Sequence, residues 1–184
     1  MPAAIQQSQM ESDRLSAIKT IDSEIRAIEE LKKSLDAESL TKALDFMQNS
    51  TGRIIITGMG KSGHIGKKIA ASLASTGTPS FFVHPAEASH GDLGMITDDD
   101  VVIAISNSGE SRELIDILNY CKRFGIKLIA ITKNQDSSLG KAGDVVLLLP
   151  NNGEACPLGL APTSSTTATL VLGDILTIRM IERK

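Results

Sequence analysis

Tryptophan is absent from this sequence, and aromatic residues occupy only 3% of its 184 positions. A core must then be assembled from Ile, Leu, Val and Ala, which suits layered α/β packing better than an aromatic-rich β-sandwich. Blocks of basic residues are also missing, and the formal net charge is −3. With few rings to stack on bases and no cationic surface, nucleic acid is not an expected partner. No apolar run is as long as a membrane span, and Met1-Pro2-Ala3-Ala4 lacks a basic segment leading into an apolar one. The expectation is a cytoplasmic protein without membrane association. Two cysteines cannot make a disulfide framework. Cys121 falls in a predicted helix, where it reads as a small buried hydrophobe, and Cys156 in a loop; both are expected to be reduced. The 41% apolar content is ordinary for a globular chain, and 184 residues suit one domain, or one domain with an appended arm.

The most informative stretch is Ser106-Asn107-Ser108-Gly109-Glu110-Ser111-Arg112-Glu113. The apolar run Val101 to Ile105 before it has the length and β-branching of a buried strand. Leu114, Ile115, Ile117 and Leu118 after it are spaced as one helix face. The eight residues therefore bridge the carboxyl end of a strand and the N-terminus of a helix. Ser108 or Ser111 as a plain N-cap, with Glu110 and Glu113 favouring the first turn, is one role. One serine suffices for that. Three hydroxyls around a flexible glycine, at the positive end of a helix dipole, favour a bound phosphate or other small anion.

Further along the chain, residues 12–35 predict a long amphipathic helix, with Leu15, Ile18, Ile21, Ile25, Ile28, Leu31 and Leu35 at steps of three and four. Such a stripe needs a covering surface, either its own domain or a second copy of the chain. A second helix is predicted over residues 37–48. Residues 1–50 thus form a helical arm, and 51–184 the main domain. The strand Arg53 to Thr57 leads into Gly58-Met59-Gly60-Lys61-Ser62-Gly63-His64 and a helix reaching about Thr76. This loop has the G-x-G-x-x-G form of a dinucleotide site, but the next strand, Ser80 to Val83, ends in His84-Pro85 with no acidic residue to hold a ribose. A P-loop would need glycine where Ile55 stands. What remains is a glycine turn carrying a lysine and a serine.

Residues 84–94 form a polar loop. His84, beside Pro85, reads as a turn or capping residue, and His90 as an acid/base or a satisfied structural histidine. A metal site from His84, Glu87, His90 and Asp92 has no recognised ligand spacing behind it. A helix over about 111–124 is stopped by Gly125; strands follow at 127–132 and 144–149, separated by a short segment at 137–142. Then comes the loop from Asn151 to Gly159. The hydroxyl run Thr163-Ser164-Ser165-Thr166-Thr167 opens the last helix, either as caps or as contacts to a polar ligand.

Strand–helix alternation with short connections predicts a five-stranded parallel sheet, helices on both faces and right-handed crossovers. Ligands of such sheets sit beyond the carboxyl ends of the strands, where strand order reverses. The loops after the first, second, third and fifth strands all emerge at that edge.

Ser106-Asn107-Ser108-Gly109-Glu110-Ser111 resembles the phosphosugar-binding signature of sugar isomerase (SIS) domains, a flavodoxin-like three-layer fold. Within that family the sequence is similar to bacterial D-arabinose 5-phosphate isomerases. The similarity covers about residues 54–173. It rests on residues 58–64, on the segment from Thr76 to Glu87, on His90 to Gly94, and on the segment from Glu154 to Thr169. It implies interconversion of D-ribulose 5-phosphate and D-arabinose 5-phosphate, supplying Kdo for lipopolysaccharide or capsule. It also implies a cofactor-free enzyme without a metal, working as a homotetramer with sites shared between subunits. An SIS domain that only senses a sugar phosphate is the alternative, as is isomerisation of another sugar phosphate.

Moving a proton between C1 and C2 of an open-chain sugar needs a base, and a carboxylate can take that proton and return it. With the resemblance in hand, Glu154 is expected to be that base and Glu113 the second carboxylate. Lys61 is expected to hold the phosphate or stabilise the enediol oxyanion, and His90 to open the ring. Ser62, Ser106, Asn107, Ser108, Ser111 and Thr166 are the expected substrate and phosphate contacts. Longer family members continue into a His-Pro-Gly-Gly segment and paired CBS domains. The present sequence runs to Lys184 without either, which places ring opening on His90.

Overall fold

The computed structural model describes residues 3–184; Met1 and Pro2, read above for a leader, lie outside the described residues. The chain begins with α1 (Ala3–Ser34) and α2 (Ala37–Asn49), followed by β1 (Ile54–Gly58), α3 (Gly60–Ser75), β2 (Ser80–Val83) and the short α4 (Pro85–Ser89). Then come β3 (Val101–Ile105), α5 (Ile115–Phe124), β4 (Lys127–Thr132), the short α6 (Ser138–Ala142), β5 (Val145–Leu148) and α7 (Ser164–Glu182). The five strands are all parallel, in the order β2-β1-β3-β4-β5. Strand order reverses between β1 and β3, where Gly58 pairs with Ile105. The predicted α/β layering is the observed one.

Alternate residues of the β-branched strands build the two faces. Ile54, Ile56, Ile103, Ile105, Ile129 and Ile131 face a layer made by α1, α2, α3 and α7. Ile55, Val102, Ala104, Leu128 and Ala130 face α4, α5 and α6. Gly173 of α7 lies where a Cβ would collide with Ile69 of α3, so these helices pack at close range. The arm belongs partly to this body: Leu31, Ala43, Leu44 and Met47 lie in the same core cluster as β1. Leu15, Ile18, Ile21, Ile25 and Ile28 of α1 stay exposed among the described residues.

Some boundaries differ from the expected ones. The first helix begins at Ala3 rather than near residue 12, because residues 3–11 contain no helix breaker although they lack the apolar stripe. The polar loop after β2 contains α4, with Pro85 at its first position and His84 as its cap. The helix expected from Ser111 starts as a 3-10 turn, Arg112–Leu114, and becomes regular at Ile115.

The amino ends of the strands are tied down by carboxylates. Asp100, buried just before β3, accepts hydrogen bonds from the Arg53 and Thr97 backbone N–H groups (2.7 and 2.8 Å), the Arg53 guanidinium and the Thr97 hydroxyl. Burial opposes its ionisation, but these donors outweigh burial and hold its carboxyl below the ordinary aspartate value. Asp144, just before β5, accepts the Leu128 N–H (2.9 Å) and pairs with Lys127.

Candidate active site

At the carboxyl edge the loop after β3 bonds to itself. The Ser106 hydroxyl, almost wholly buried, lies 2.9 Å from the Ser111 hydroxyl and accepts the Gly109 N–H at 3.1 Å. The exposed Ser108 hydroxyl accepts the Glu110 N–H at 3.2 Å. Gly109 has φ +74°, and a Cβ there would collide with the Ser137 hydroxyl, so the turn admits only glycine. The Asn107 carbonyl accepts the Lys133 N–H (3.1 Å) and the Thr132 hydroxyl (3.3 Å), whereas its side-chain Oδ1 is buried without a partner. Neither Glu110 nor Ser111 caps α5. The Glu110 carboxylate reaches across instead to the start of α6, accepting the Ser138 N–H at 2.8 Å and its hydroxyl at 2.7 Å. The Ser138 contacts hold the Glu110 carboxyl below the ordinary glutamate value.

Because β1 pairs with β3, the glycine loop after β1 lies beside this one. Its glycines serve packing: a Cβ at Gly63 would strike the Gly58 carbonyl, and Gly60 has φ +58°. That explains the G-x-G-x-x-G pattern without a nucleotide. No side chain caps α3, so its first turn, with Lys61 exposed and Ser62 half-buried, starts at the positive end of the helix dipole without a side-chain acceptor.

His84 is structural, its Nδ1 accepting the Ala86 N–H at 3.3 Å to cap α4. His90 follows α4 and is exposed. α4 packs against the 112–114 turn, which carries the exposed Glu113. His84, Glu87, His90 and Asp92 are not gathered as a metal-holding group among the described residues.

The decisive element is the loop after β5. Glu154 Oε2 accepts the Thr163 N–H (2.7 Å), the Thr163 hydroxyl (3.1 Å) and the Ser165 N–H (3.2 Å), so the carboxylate caps α7. Burial raises its proton affinity, but the Ser165 and Thr163 hydrogen bonds outweigh burial and hold it below the ordinary glutamate value. Its other oxygen, Oε1, accepts no hydrogen bond among the described residues. Glu154 lines a cleft of about 270 Å³ with Asn107, Lys133, Asn152 and Ser165. The hydroxyl run is therefore divided. Thr163 and Ser165 serve Glu154, Ser164 lies 3.2 Å from the Ser23 hydroxyl, and Thr167 donates to Glu24 of α1 at 2.8 Å. Thr166, an expected substrate contact, turns its hydroxyl back to the Thr163 carbonyl at 2.8 Å.

Asn107 and Glu154 thus share one cleft, Ser106, Ser108 and Ser111 one loop, and Lys61 and Ser62 the neighbouring helix start. Lys133 and Asn152 join them without having been singled out by the sequence. Lys133 follows β4 directly, and its place at the carboxyl edge of the sheet was the available signal.

The arrangement can hold an anion at the switch point and a carboxylate a short way off. The profile of one family, the SIS domain, matches residues 47–179. The chain belongs to the SIS domain family. Among its SIS relatives, the arabinose 5-phosphate isomerase KdsD of Pseudomonas aeruginosa is 56% identical over 169 residues, which cover 92% of this chain and 52% of that protein. A chain from Escherichia coli CFT073, solved in complex with arabinose 5-phosphate, superposes with a TM-score of 0.88 at 43% identity, covering 94% of this chain and 92% of that one. A putative sugar-phosphate isomerase from Listeria monocytogenes superposes at 0.90 with 29% identity, covering 94% and 91%. The chain spans about half the length of the curated relatives it matches.

Proposed function

We propose that this SIS domain is an aldose–ketose isomerase that interconverts D-ribulose 5-phosphate and D-arabinose 5-phosphate through an enediol, for Kdo biosynthesis. The observation that carries the reading is Glu154, a carboxylate held ionised in a cleft that Asn107 and Lys133 also line. A site that only bound a phosphate would need no carboxylate there. The names of the relatives supply the substrate.

In this scheme the phosphate is held by Ser62, Ser106, Ser108 and Ser111 and by the first turn of α3, with Lys61 adding charge. Asn107 accepts a sugar hydroxyl. His90 moves the proton that opens the ring. Glu154 then takes the proton from C2 of the aldose; the C2–H electron pair forms the C1–C2 double bond, and the carbonyl oxygen becomes the enediol oxygen, stabilised by Lys61. Glu113 carries the proton between the two oxygens, and Glu154 returns its proton to C1. The hydrogen bonds to Oε2 keep Glu154 deprotonated at neutral pH, and Oε1 is the atom left to work. No metal or cofactor is needed for these steps.

The exposed stripe on α1 supports assembly into a homotetramer. Among the described residues no helix is long and apolar enough to cross a membrane. A freely diffusing sugar phosphate as substrate supports a place of work in the cytoplasm.

The test is incubation with D-ribulose 5-phosphate in D₂O, followed by proton NMR, beside Glu154→Gln. Arabinose 5-phosphate carrying deuterium at C2, absent with the variant, is the expected result. Substrate that binds and stays intact would make the chain a binding module instead.

A further inference from the structure

A carboxylate inside a phosphate-holding loop calls for a reason, since a like charge near a dianion is repulsive. Glu110 sits between Gly109 and Ser111, and its charge is spent elsewhere in the fold. Its two oxygens take the Ser138 N–H and hydroxyl, one oxygen each, at 2.8 and 2.7 Å. This is one of three contacts between the same two segments. The Gly109 carbonyl accepts the Leu139 N–H at 3.0 Å, and the Gly109 Cα rests against Ser137, whose own hydroxyl caps α6 through the Gly140 N–H at 3.1 Å. Ser137 and Leu139 are buried, so this side of the clamp is fixed in the core. Ser108, by contrast, is exposed, and within the loop its hydroxyl holds only the Glu110 N–H.

We infer that Glu110 is a positioning residue for substrate: by gripping Ser138 it fixes the backbone of Ser108–Ser111 in the geometry that receives the phosphate, while keeping its own charge off the anion. The inference rests on the phosphate site proposed above and adds a residue to it that touches no substrate atom. Loss of the grip removes the one contact of the three that involves a side chain of the loop, between Ser108 and Ser111, so ground-state binding weakens and the proton transfer at Glu154 is left alone.

The experiment measures initial rates with D-ribulose 5-phosphate, and competition by inorganic phosphate, for the wild-type chain, Glu110→Ala, Glu110→Gln and Ser138→Ala. Hydrogen bonds to a charged group set the expected scale. Glu110→Ala raises both KM and the phosphate inhibition constant by roughly ten- to a hundredfold, with kcat within about threefold of wild type. Glu110→Gln, which keeps an acceptor for the Ser138 N–H, recovers most of the loss. Ser138→Ala gives a smaller shift in the same direction, and adding it to Glu110→Ala changes nothing more. Unchanged KM and phosphate inhibition in a folded Glu110→Ala overturn the inference, as does a fall in kcat at constant KM. Where the alanine variant does not fold, a Glu110→Gln that binds phosphate as tightly as wild type while Ser138→Ala also does so overturns it equally. A wild-type chain that takes neither substrate nor phosphate overturns the site itself, a failure visible before any variant is compared.

Discussion

The two ends of the sheet use their carboxylates differently. At the amino end, Asp100 and Asp144 spend their charge on backbone N–H groups, Arg53 and Lys127, and Asp100 is sealed from solvent. One buried hydroxyl at that end, Thr78 before β2, has no partner; at the carboxyl end more of the bonding is left incomplete. Asn107 Oδ1 and the wholly buried Thr57 hydroxyl have no partner, α3 starts without a side-chain cap, and Glu154 keeps one oxygen unbonded among the described residues. A saturated group contributes stability and can do little else; an unsaturated one lowers stability and, where it is exposed, can hold a ligand. The molecule separates the two tasks by about the length of one strand.

The largest effect expected from breaking this contrast is at Glu154. If Glu154 is the proposed base, Glu154→Gln lowers kcat by roughly a thousandfold, because an amide cannot take the C2 proton; its melting temperature falls only slightly, since an amide oxygen still caps α7 although the stabilisation tied to the charge is lost. Paired kinetics and calorimetry check both halves. At the other end, Asp100→Ala leaves the Arg53 and Thr97 donors without their acceptor and lowers stability by about 3 kcal/mol, with kcat per folded molecule retained. Urea unfolding reads the first number; a loss of kcat matching Glu154→Gln would erase the distinction between the ends.

Acid separates the ends more gently. Asp100 and Glu154 both have folded values below the ordinary carboxylate ones. Each therefore stabilises the fold fully above its unfolded value, and that contribution is lost as pH falls through the lower folded value. The melting temperature should hold steady from neutrality to about pH 4.5 and fall below it. Asp100→Asn, lower in stability at neutral pH, should show a shallower fall than wild type. The smallest effect is at Thr57. Replacing its unpartnered hydroxyl with a methyl in Thr57→Val should stabilise the fold by up to about 1 kcal/mol, read as about 2–4 °C in melting temperature. A rise in KM instead would move Thr57 into the ligand-holding set.

How much of this is legible in the sequence follows the range of the interactions. Strands such as Val101 to Ile105 are marked by β-branched runs, and Gly125 by its place after a helix, because those signals are local. The convergence of loops at one edge comes from the parallel topology, which short connections imply. Contacts that cross the chain cannot be read in this way. Glu110 has the place of a first-turn acid for α5, yet bonds 28 residues ahead to Ser138. Glu154 has the place of a loop glutamate, and only the fold of residues 150–163 bends it onto α7. The α4 helix lies within a segment read as loop, although His84-Pro85 is a cap followed by a first-position proline, a local signal that was available.

The place of α7 in the molecule also bears on how the chain reaches this state. Ala168, Leu172, Leu176 and Met180 complete a layer whose other members come from α1, α2 and α3, more than a hundred residues earlier in part, and no two strands are joined by a hairpin. The contacts that close this layer therefore join distant segments, whose loop-closure cost is met before the contacts form. During synthesis the helices of that layer and one face of the sheet wait with their apolar sides uncovered until α7 has emerged, and that interval is when the chain is most open to aggregation.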